Sequence, residues 1–287
     1  MNKPVTAANY FDPDVEWAYM GSTQIKNFMA CEAAELARLR GQYVTPATTA
    51  MLVGSYVDAH FEGTLDVFRG RHPEIFKRDG TLKSEFSRAN EIIERMERDE
   101  LYMLLMGGQK QVVRTGEIAG VPVKIKIDSL LDAADCREIV RRFPGAAEAL
   151  GFCSGAIVDQ KVMRSLEDAW DPEDRRWVPW WRAWRYDIQG AVYQAVEGRM
   201  LPFLLAAGTK EEEPDIRAVY LPDAVLEAAL AEVEELLPRF QAVKEGREAP
   251  RSCGKCPYCR AVRQLLTIEN GEESAYESEY ESEAVSI

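Results

Sequence analysis

The sequence has no apolar run of the roughly 18 residues that a membrane-spanning helix needs. Its opening, Met1 to Tyr10, lacks the basic-then-apolar pattern of a secretory leader, so the chain reads as cytoplasmic, with no membrane partner. It contains no internal repeat. It also lacks an excess of basic residues: 35 Lys and Arg face 48 Asp and Glu, for a net charge of −13. Overall charge therefore argues against a nucleic-acid partner. Seven of the glutamates lie between Glu269 and Ile287, where there is no Lys or Arg, and setting them aside leaves −6 for the rest. This stretch has too little apolar content to fold. It reads as a disordered tail over 268–287, suited equally to mimicking nucleic acid, recruiting a partner or keeping the protein in solution. Any nucleic-acid-binding function must rest on a local groove and on bound cations.

With 46% hydrophobic residues in 287, the chain has ample material for a proper core. Ile25, Phe28, Met29 and Leu36 predict a helix that Ser22 or Thr23 can cap and that runs to about Arg40, where Gly41 ends it. A second helix is predicted from near Pro46 into the 60s, and a third over 84–105. The period then changes. Val123, Ile125 and Ile127 alternate with Lys124, Lys126 and Asp128, the pattern of a half-buried strand. A turn at Ala119-Gly120 makes 111–118 and 121–131 a hairpin. A strand over 156–162, a helix over 181–199, strands over 201–206 and 216–221 and a long helix over 223–245 complete a mixed α/β order.

Asp128 ends one strand, and Asp159 lies in the next, in Ala-Ile-Val-Asp159-Gln160-Lys161-Val. Two carboxylates at adjacent strand ends can converge on a hard divalent cation, which prefers oxygen ligands. The strand period puts Asp159 and Lys161 on one face, while Gln160 points away and leaves its main-chain carbonyl available. Such an ion activates water at a phosphate, with the Lys161 ammonium beside it. Taken alone, an Asp-x-Lys is an ordinary surface pair. Gln189 and Tyr193 stand four apart, on one face of the helix that follows. Asp58 and Glu62 share a face of the second helix, and His60 lies about 200° round from Asp58, too far to share a metal easily.

In this order, Gly54-x-x-x-Asp58-x-x-x-Glu62, Gly120-x-x-x-Lys-x-x-x-Asp128, Asp159-x-Lys161 and Gln189-x-x-x-Tyr193 resemble the PD-(D/E)XK nuclease superfamily. The likeness is to phage and prophage exonucleases of the RecE (exonuclease VIII) type, kin to RecB-like nucleases, and runs from about Ser22 to Arg260. It implies a restriction-endonuclease-like core, a central mixed sheet flanked by helices, over 1–267. It also implies that Asp128 and Asp159 ligate Mg²⁺ or Mn²⁺, that Lys161 is the catalytic lysine, and that Gln189 and Tyr193 support them. RecB-like members commonly carry His four residues after the glycine. Here that place is Asp58, which can ligate Mg²⁺ as well, with Glu62 as a further candidate and His60 as a bystander.

The cysteines carry a second site. Cys253-Gly-Lys-Cys256-Pro-Tyr-Cys259 has metal-ligand spacing and needs a fourth ligand to close a tetrahedral zinc site or hold a [4Fe–4S] cluster. Iron–sulfur relatives of the RecB nuclease join one N-terminal cysteine to three near the C-terminus, and that resemblance makes Cys31 the fourth and a [4Fe–4S] cluster the expected occupant, with zinc as the alternative. Such a staple would tie the first helix to the end of the domain. Cys136 and Cys153 read as core or incidental.

Five of the six tryptophans fall between Trp170 and Trp184, among Arg175, Arg176, Arg182 and Arg185. They suit either a stacking surface for unpaired bases or a helix packed into the core. The expected function is a Mg²⁺-dependent DNA exonuclease that trims duplex ends for phage-type recombination, and the resemblance implies a single-strand annealing recombinase as partner. A non-catalytic DNA-binding module on the same fold and a zinc-containing interaction protein are the competing readings.

Overall fold

Period-two patterning builds the centre of the molecule. A computed structural model describes residues 4–172 and 175–265, and the acidic tail expected over 268–287 lies outside the described residues. The strands are β1 (Gln109–Ile118), β2 (Val121–Asp132), β3 (Gly155–Met163), β4 (Ala169–Asp171), β5 (Arg176–Val178), β6 (Phe203–Thr209) and β7 (Ile216–Leu221). Five of them form the central sheet in the order β1-β2-β3-β6-β7, while β4 and β5 make a separate hairpin. β3 and β6 run parallel and the other neighbours antiparallel, so the sheet is mixed. Ala119 and Gly120 both take positive φ, 49° and 76°, as a tight two-residue hairpin turn requires.

The helices are α1 (Pro13–Ala18), α2 (Ser22–Ala30), α3 (Glu32–Leu39), α4 (Thr49–Phe61), α5 (Leu65–Arg71), α6 (Ser84–Glu97), α7 (Glu100–Leu105), α8 (Ala133–Arg142), α9 (Ala147–Leu150), α10 (Trp180–Ala183), α11 (Tyr186–Glu197), α12 (Asp223–Lys244) and α13 (Pro257–Ala261). They cover the two sheet faces as separate layers. Val123, Ile125, Ile127, Ile157 and Phe203 pack with Ile25 and Phe28 of α2, Ile188 and Val192 of α11, and Leu226 and Val233 of α12. Ala156, Val158 and Leu204, the alternate positions, pack with Val57 of α4, Ile92 and Met96 of α6, and Ile139 of α8. Each large side chain fully buried this way contributes roughly 1.5–3 kcal/mol of transfer free energy. Two cores of alternating register fix which strand residues face which helix. Among the described residues no helix is long and apolar enough to cross a membrane.

Several expected helices are broken, each for a visible reason. The helix expected from Ser22 to Arg40 divides at Cys31, whose extended backbone (φ −168°, ψ 107°) ends α2 and begins α3. The C-terminal segment enforces the break: the Ala33 N–H donates to the Arg251 carbonyl at 3.0 Å. Arg239 pairs with the buried Glu32 carboxylate at 2.7 and 2.8 Å. Ser22 is the first helical residue and does not cap; Gly21 occupies the cap position. The second helix starts at Thr49, capped by the Thr48 hydroxyl, which accepts from the Met51 N–H. The span 84–105 divides at Asp99, whose carboxylate accepts from the Tyr102 N–H at 2.9 Å and starts α7. Arg185, at φ 52°, separates α10 from α11. Sequence patterning missed α8, although Asp132 and Asp135 form a reciprocal capping box at its start.

One irregularity positions the site. β2 and β3 pair from Asp132↔Gly155 to Ser129↔Val158. The next step would set Asp128 against Asp159, and there the pairing stops. On the other side of β2, Gln111 would oppose Asp128 but takes φ 53° and drops out of an otherwise continuous register. Beyond the split, the free edge of β2 is bridged at Val123 by Met20, which leads the chain into α2.

Candidate active site

The split leaves one main-chain donor of β3 without a ladder partner, and Asp128 supplies one. Its Oδ2 accepts from the Gln160 N–H at 3.0 Å, and its Oδ1 accepts from the Gln111 carboxamide at 3.4 Å. Asp159 is 1% exposed, on the opposite face of β3 from Gln160. Its Oδ1 accepts from the Gln189 Nε2 at 2.6 Å, and its Oδ2 pairs with the Lys161 ammonium. Lys161 also donates to the Gln160 carbonyl at 3.1 Å, the main-chain oxygen expected to be available as a ligand. The strand period thus makes the Asp159–Lys161 pair, and α11 crosses the sheet close enough to lock it from above.

Close crossing is possible because Gly190 follows Gln189. A Cβ there would lie 2.7 Å from Phe203 Cδ1 and 2.9 Å from Leu226 Cδ2. One turn on, the buried Tyr193 donates its hydroxyl to the Lys126 carbonyl at 3.0 Å. Tyr193 therefore anchors β2 two residues before Asp128. The phenol is pushed well above its usual pKa by burial and by the charge of Asp159.

Across the split stands α4. Asp58, Phe61 and Glu62 line a small open cleft together with Met106, Lys110, Gln111, Asp128 and Gln160. Burial pushes Asp58 well above the usual carboxylate range, and the charge of Asp128 adds to it while Lys161 opposes. Asp159 is pushed up to about 6 by burial, against the pull of Lys161 and with the push of Asp128. Glu62 is raised by burial as well, with Lys126 opposing. Burial works against the Lys161 charge, yet Asp159 and Asp128 hold its pKa above the usual lysine range. The Gln160 carboxamide is 4% exposed, and among the described residues neither its oxygen nor its nitrogen has a partner. The acidic groups are near one another without converging: among the described residues, the four cysteines alone bring three or more ligand atoms within 4.8 Å. His60 turns away and pairs with Glu97 at 2.8 Å, as a bystander would.

The cysteine set does assemble. Cys31 Sγ lies 3.6 Å from Cys259 Sγ, and Cys253 Sγ lies 3.9 Å from it. The four sulfurs of Cys31, Cys253, Cys256 and Cys259 all fall within 4.8 Å of one another. Main-chain N–H groups of Cys256 and Lys255 point at Cys253 and bring its thiol down to about 6, the condition for a thiolate ligand. A tetrahedral ion with bonds of about 2.3 Å holds its sulfurs about 3.8 Å apart. The four sulfurs therefore form a set that can hold a metal, whether as a single ion or as a cluster. Cys136 is buried in the α8 core, and Cys153 donates to the Leu150 carbonyl.

The tryptophans divide between the two expectations. Trp180 is buried against Tyr186, but Trp170, Trp177 and Trp184 are half exposed or more. Trp170 and Trp177 meet edge to face on the β4–β5 hairpin, with ring centres 6.0 Å apart. Two residues that the sequence did not single out also border the site. Lys26 and Lys161 both present their ammonium groups to the ring of Tyr186. The signal for Tyr186 was its place one turn before Gln189; no motif in the sequence pointed to Lys26.

The model of the PDDEXK-like domain of unknown function (DUF3799) matches residues 21–137 and 151–262, which takes in both the acidic site and all four clustered cysteines. A crystal structure from Eubacterium rectale, described as a "putative exonuclease", is 39% identical over 95% of this chain and 98% of its own, with a TM-score of 0.82. No curated protein matches the chain. With its split central sheet, its Asp-x-Lys and its two aspartates, which lie within β2 and β3 where their pairing stops and not at strand ends as expected, the chain belongs to the family of PDDEXK-like domains.

Proposed function

We propose that the chain is a Mg²⁺-dependent deoxyribonuclease, Mn²⁺ being the alternative ion, that hydrolyses phosphodiester bonds from DNA ends. The observation that carries this reading is the pair of aspartates where β2 and β3 part: Asp159 is backed by Gln189 and Lys161, and Asp128 faces Asp58 across the cleft. The donors are oxygens throughout, from Asp58, Asp128, Asp159 and the Gln160 carbonyl, with Glu62 at the rim, a set that suits a hard cation. Two further observations fit it. The pKa values of Asp58 and Asp159 are raised chiefly by burial and further by the charge of Asp128, and a divalent ion relieves both costs. The unpartnered Gln160 carboxamide borders the same cleft. When bound, the ion supplies charge neutralisation at the scissile phosphate and a water of lowered pKa. The chain's own groups orient the rest. Gln189 fixes one Asp159 oxygen, Tyr193 holds β2 through Lys126, and Lys161 sets an ammonium beside Asp159 where it can position water and balance phosphate charge.

Action at ends is supported by the description of the Eubacterium rectale relative as a putative exonuclease. The exposed Trp170, Trp177 and Trp184 suit stacking on bases of an unpaired strand. Processing of duplex ends for recombination, in the cytoplasm and beside a single-strand annealing recombinase, follows from the resemblance to phage exonucleases. The four cysteines act as a metal staple between the α2–α3 junction and α13, holding a [4Fe–4S] cluster or, as the alternative, zinc; broad absorbance near ~400 nm would mark the cluster, and a colourless protein with stoichiometric zinc the ion. End-labelled linear duplex and covalently closed circles, incubated with Mg²⁺, Mn²⁺ or EDTA, test the function. Metal-dependent release of label from linear DNA, with circles intact, is expected. Binding without hydrolysis under every condition would mean a non-catalytic module instead.

A further inference from the structure

The acidic centre has a basic neighbour outside the expected motif. Lys26 projects from α2, half-buried, with its ammonium 5.0 Å from the centre of the Tyr186 ring. The Lys161 ammonium lies 5.1 Å from the same ring. Three elements thus bring two cations to one aromatic surface: α2, β3 and α11.

None of the three is loosely placed. Tyr186 donates its hydroxyl to Met163 Sδ at 3.3 Å and meets Trp180 edge-on at 5.9 Å. The start of α2 is bridged to β2 through Met20 and Val123. Ile25 and Phe28, on either side of Lys26, are buried in the core, and Phe28 stacks on Phe240 of α12 at 5.3 Å. Lys26 therefore approaches Lys161 by construction of the fold. Burial, and then repulsion from Lys161, lowers its pKa to about 8, with Asp159 and Asp187 acting in the opposite sense. Two ammonium groups that share one aromatic ring and repel each other gain from an anion that lies against both. Lys161 already answers Asp159, while among the described residues Lys26 has no ion-pair partner.

Resting on the nuclease reading of the site, we infer that Lys26 is a substrate-contacting residue that holds a backbone phosphate of the nucleic acid beside Lys161. Its ammonium lies over the same Tyr186 ring as that of Lys161, which sets the direction from which it meets the phosphate. Such a contact releases counterions, so it is read from the salt dependence of binding.

Fluorescence anisotropy of a labelled duplex, measured with Ca²⁺ in place of Mg²⁺ between about 50 and 200 mM salt, gives that slope. Lys26→Gln is expected to lower the slope of log K against log salt by about 0.9, the value for one phosphate contact on duplex DNA, and Lys26→Arg to keep it. Lys26→Met, which retains the apolar stem, is measured alongside in case Lys26→Gln does not fold. An unchanged slope in the uncharged variants overturns the inference, whatever their affinity. Equal slope loss in Lys26→Arg overturns it too, since the charge would then not be the cause. No salt-dependent binding by the unaltered protein would sink the nuclease reading itself, a result distinct from either.

Discussion

Replacing Gln189 by Ala isolates the contribution of α11 to the site. The Gln189 carboxamide donates to Asp159 Oδ1 at 2.6 Å, and both residues are buried. A hydrogen bond to a charged acceptor contributes about 1.5–3 kcal/mol, and its loss leaves a buried carboxylate short of one donor. At roughly 1.4 kcal/mol per tenfold, that range corresponds to a weakening of metal affinity by about 10- to 100-fold, the usual cost of removing a group that orients a ligand. The assay is cleavage of linear duplex across a Mg²⁺ titration. The half-saturating Mg²⁺ should rise by that factor, with much of the rate recovered at high Mg²⁺. A pH signature should accompany it. Asp159 sits at about 6 in the folded chain because of burial, above the ordinary carboxylate value. Metal binding needs its ionised form, so activity should fall as pH drops through about 6. Loss of the Gln189 donor should move that acid limb to higher pH. Without metal the sign reverses: the stability due to Asp159 is fully present below its unfolded value and is lost as pH rises through about 6, so metal-free protein should lose that contribution between about pH 4 and pH 6. If Gln189→Ala leaves both the Mg²⁺ midpoint and the acid limb in place, Gln189 does not position Asp159 and the reasoning fails.

Three other outcomes follow from the same geometry. Gly190→Ala pushes a methyl group into Phe203 and Leu226 and should cost about 1–3 kcal/mol in denaturant unfolding; a neutral result would mean that α11 has slack against β6. Cys31→Ala should lose the bound metal, measured by elemental analysis, and lower the melting temperature by at least about 5 °C; retained stoichiometric metal would show that Cys31 is no ligand. Trp177→Ala, at an exposed hairpin position, should leave stability almost unchanged and weaken binding of a single-stranded oligonucleotide by about 1–3 kcal/mol; equal affinity would remove the hairpin from the DNA surface.

The parts of the fold legible in the sequence are those in which local pattern and burial agree. Val123, Ile125 and Ile127 face one core and Lys124, Lys126 and Asp128 do not, so the period of two survives into the structure and places Asp128 at the split. The Asp159–Lys161 pair follows from the same rule applied to β3. The breaks were not legible because they are imposed from a distance. Helical propensity runs straight through Cys31, and only the C-terminal segment, through Arg239 and Arg251, pulls the chain into an extended step there. That step is also what turns the Cys31 thiol to Cys259. Lys26 was hidden for a related reason: its proximity to Lys161 exists only once α2 docks beside β2. Gln189 was readable as one of a pair with Tyr193, but the pair divides. Gln189 reaches Asp159, while Tyr193 reaches the backbone of β2, a distinction that side-chain spacing on a helix does not contain.

The central claim is that phosphodiester hydrolysis depends on Asp159 and Lys161. Its most direct test is the initial rate of linear-duplex degradation in Mg²⁺ by the unaltered chain, Asp159→Ala and Lys161→Ala, prepared identically and shown to be folded. The account predicts metal-dependent degradation by the unaltered chain and loss of at least about 100-fold in each variant, as removal of a group that stabilises developing charge produces. Equal rates in all three would contradict it.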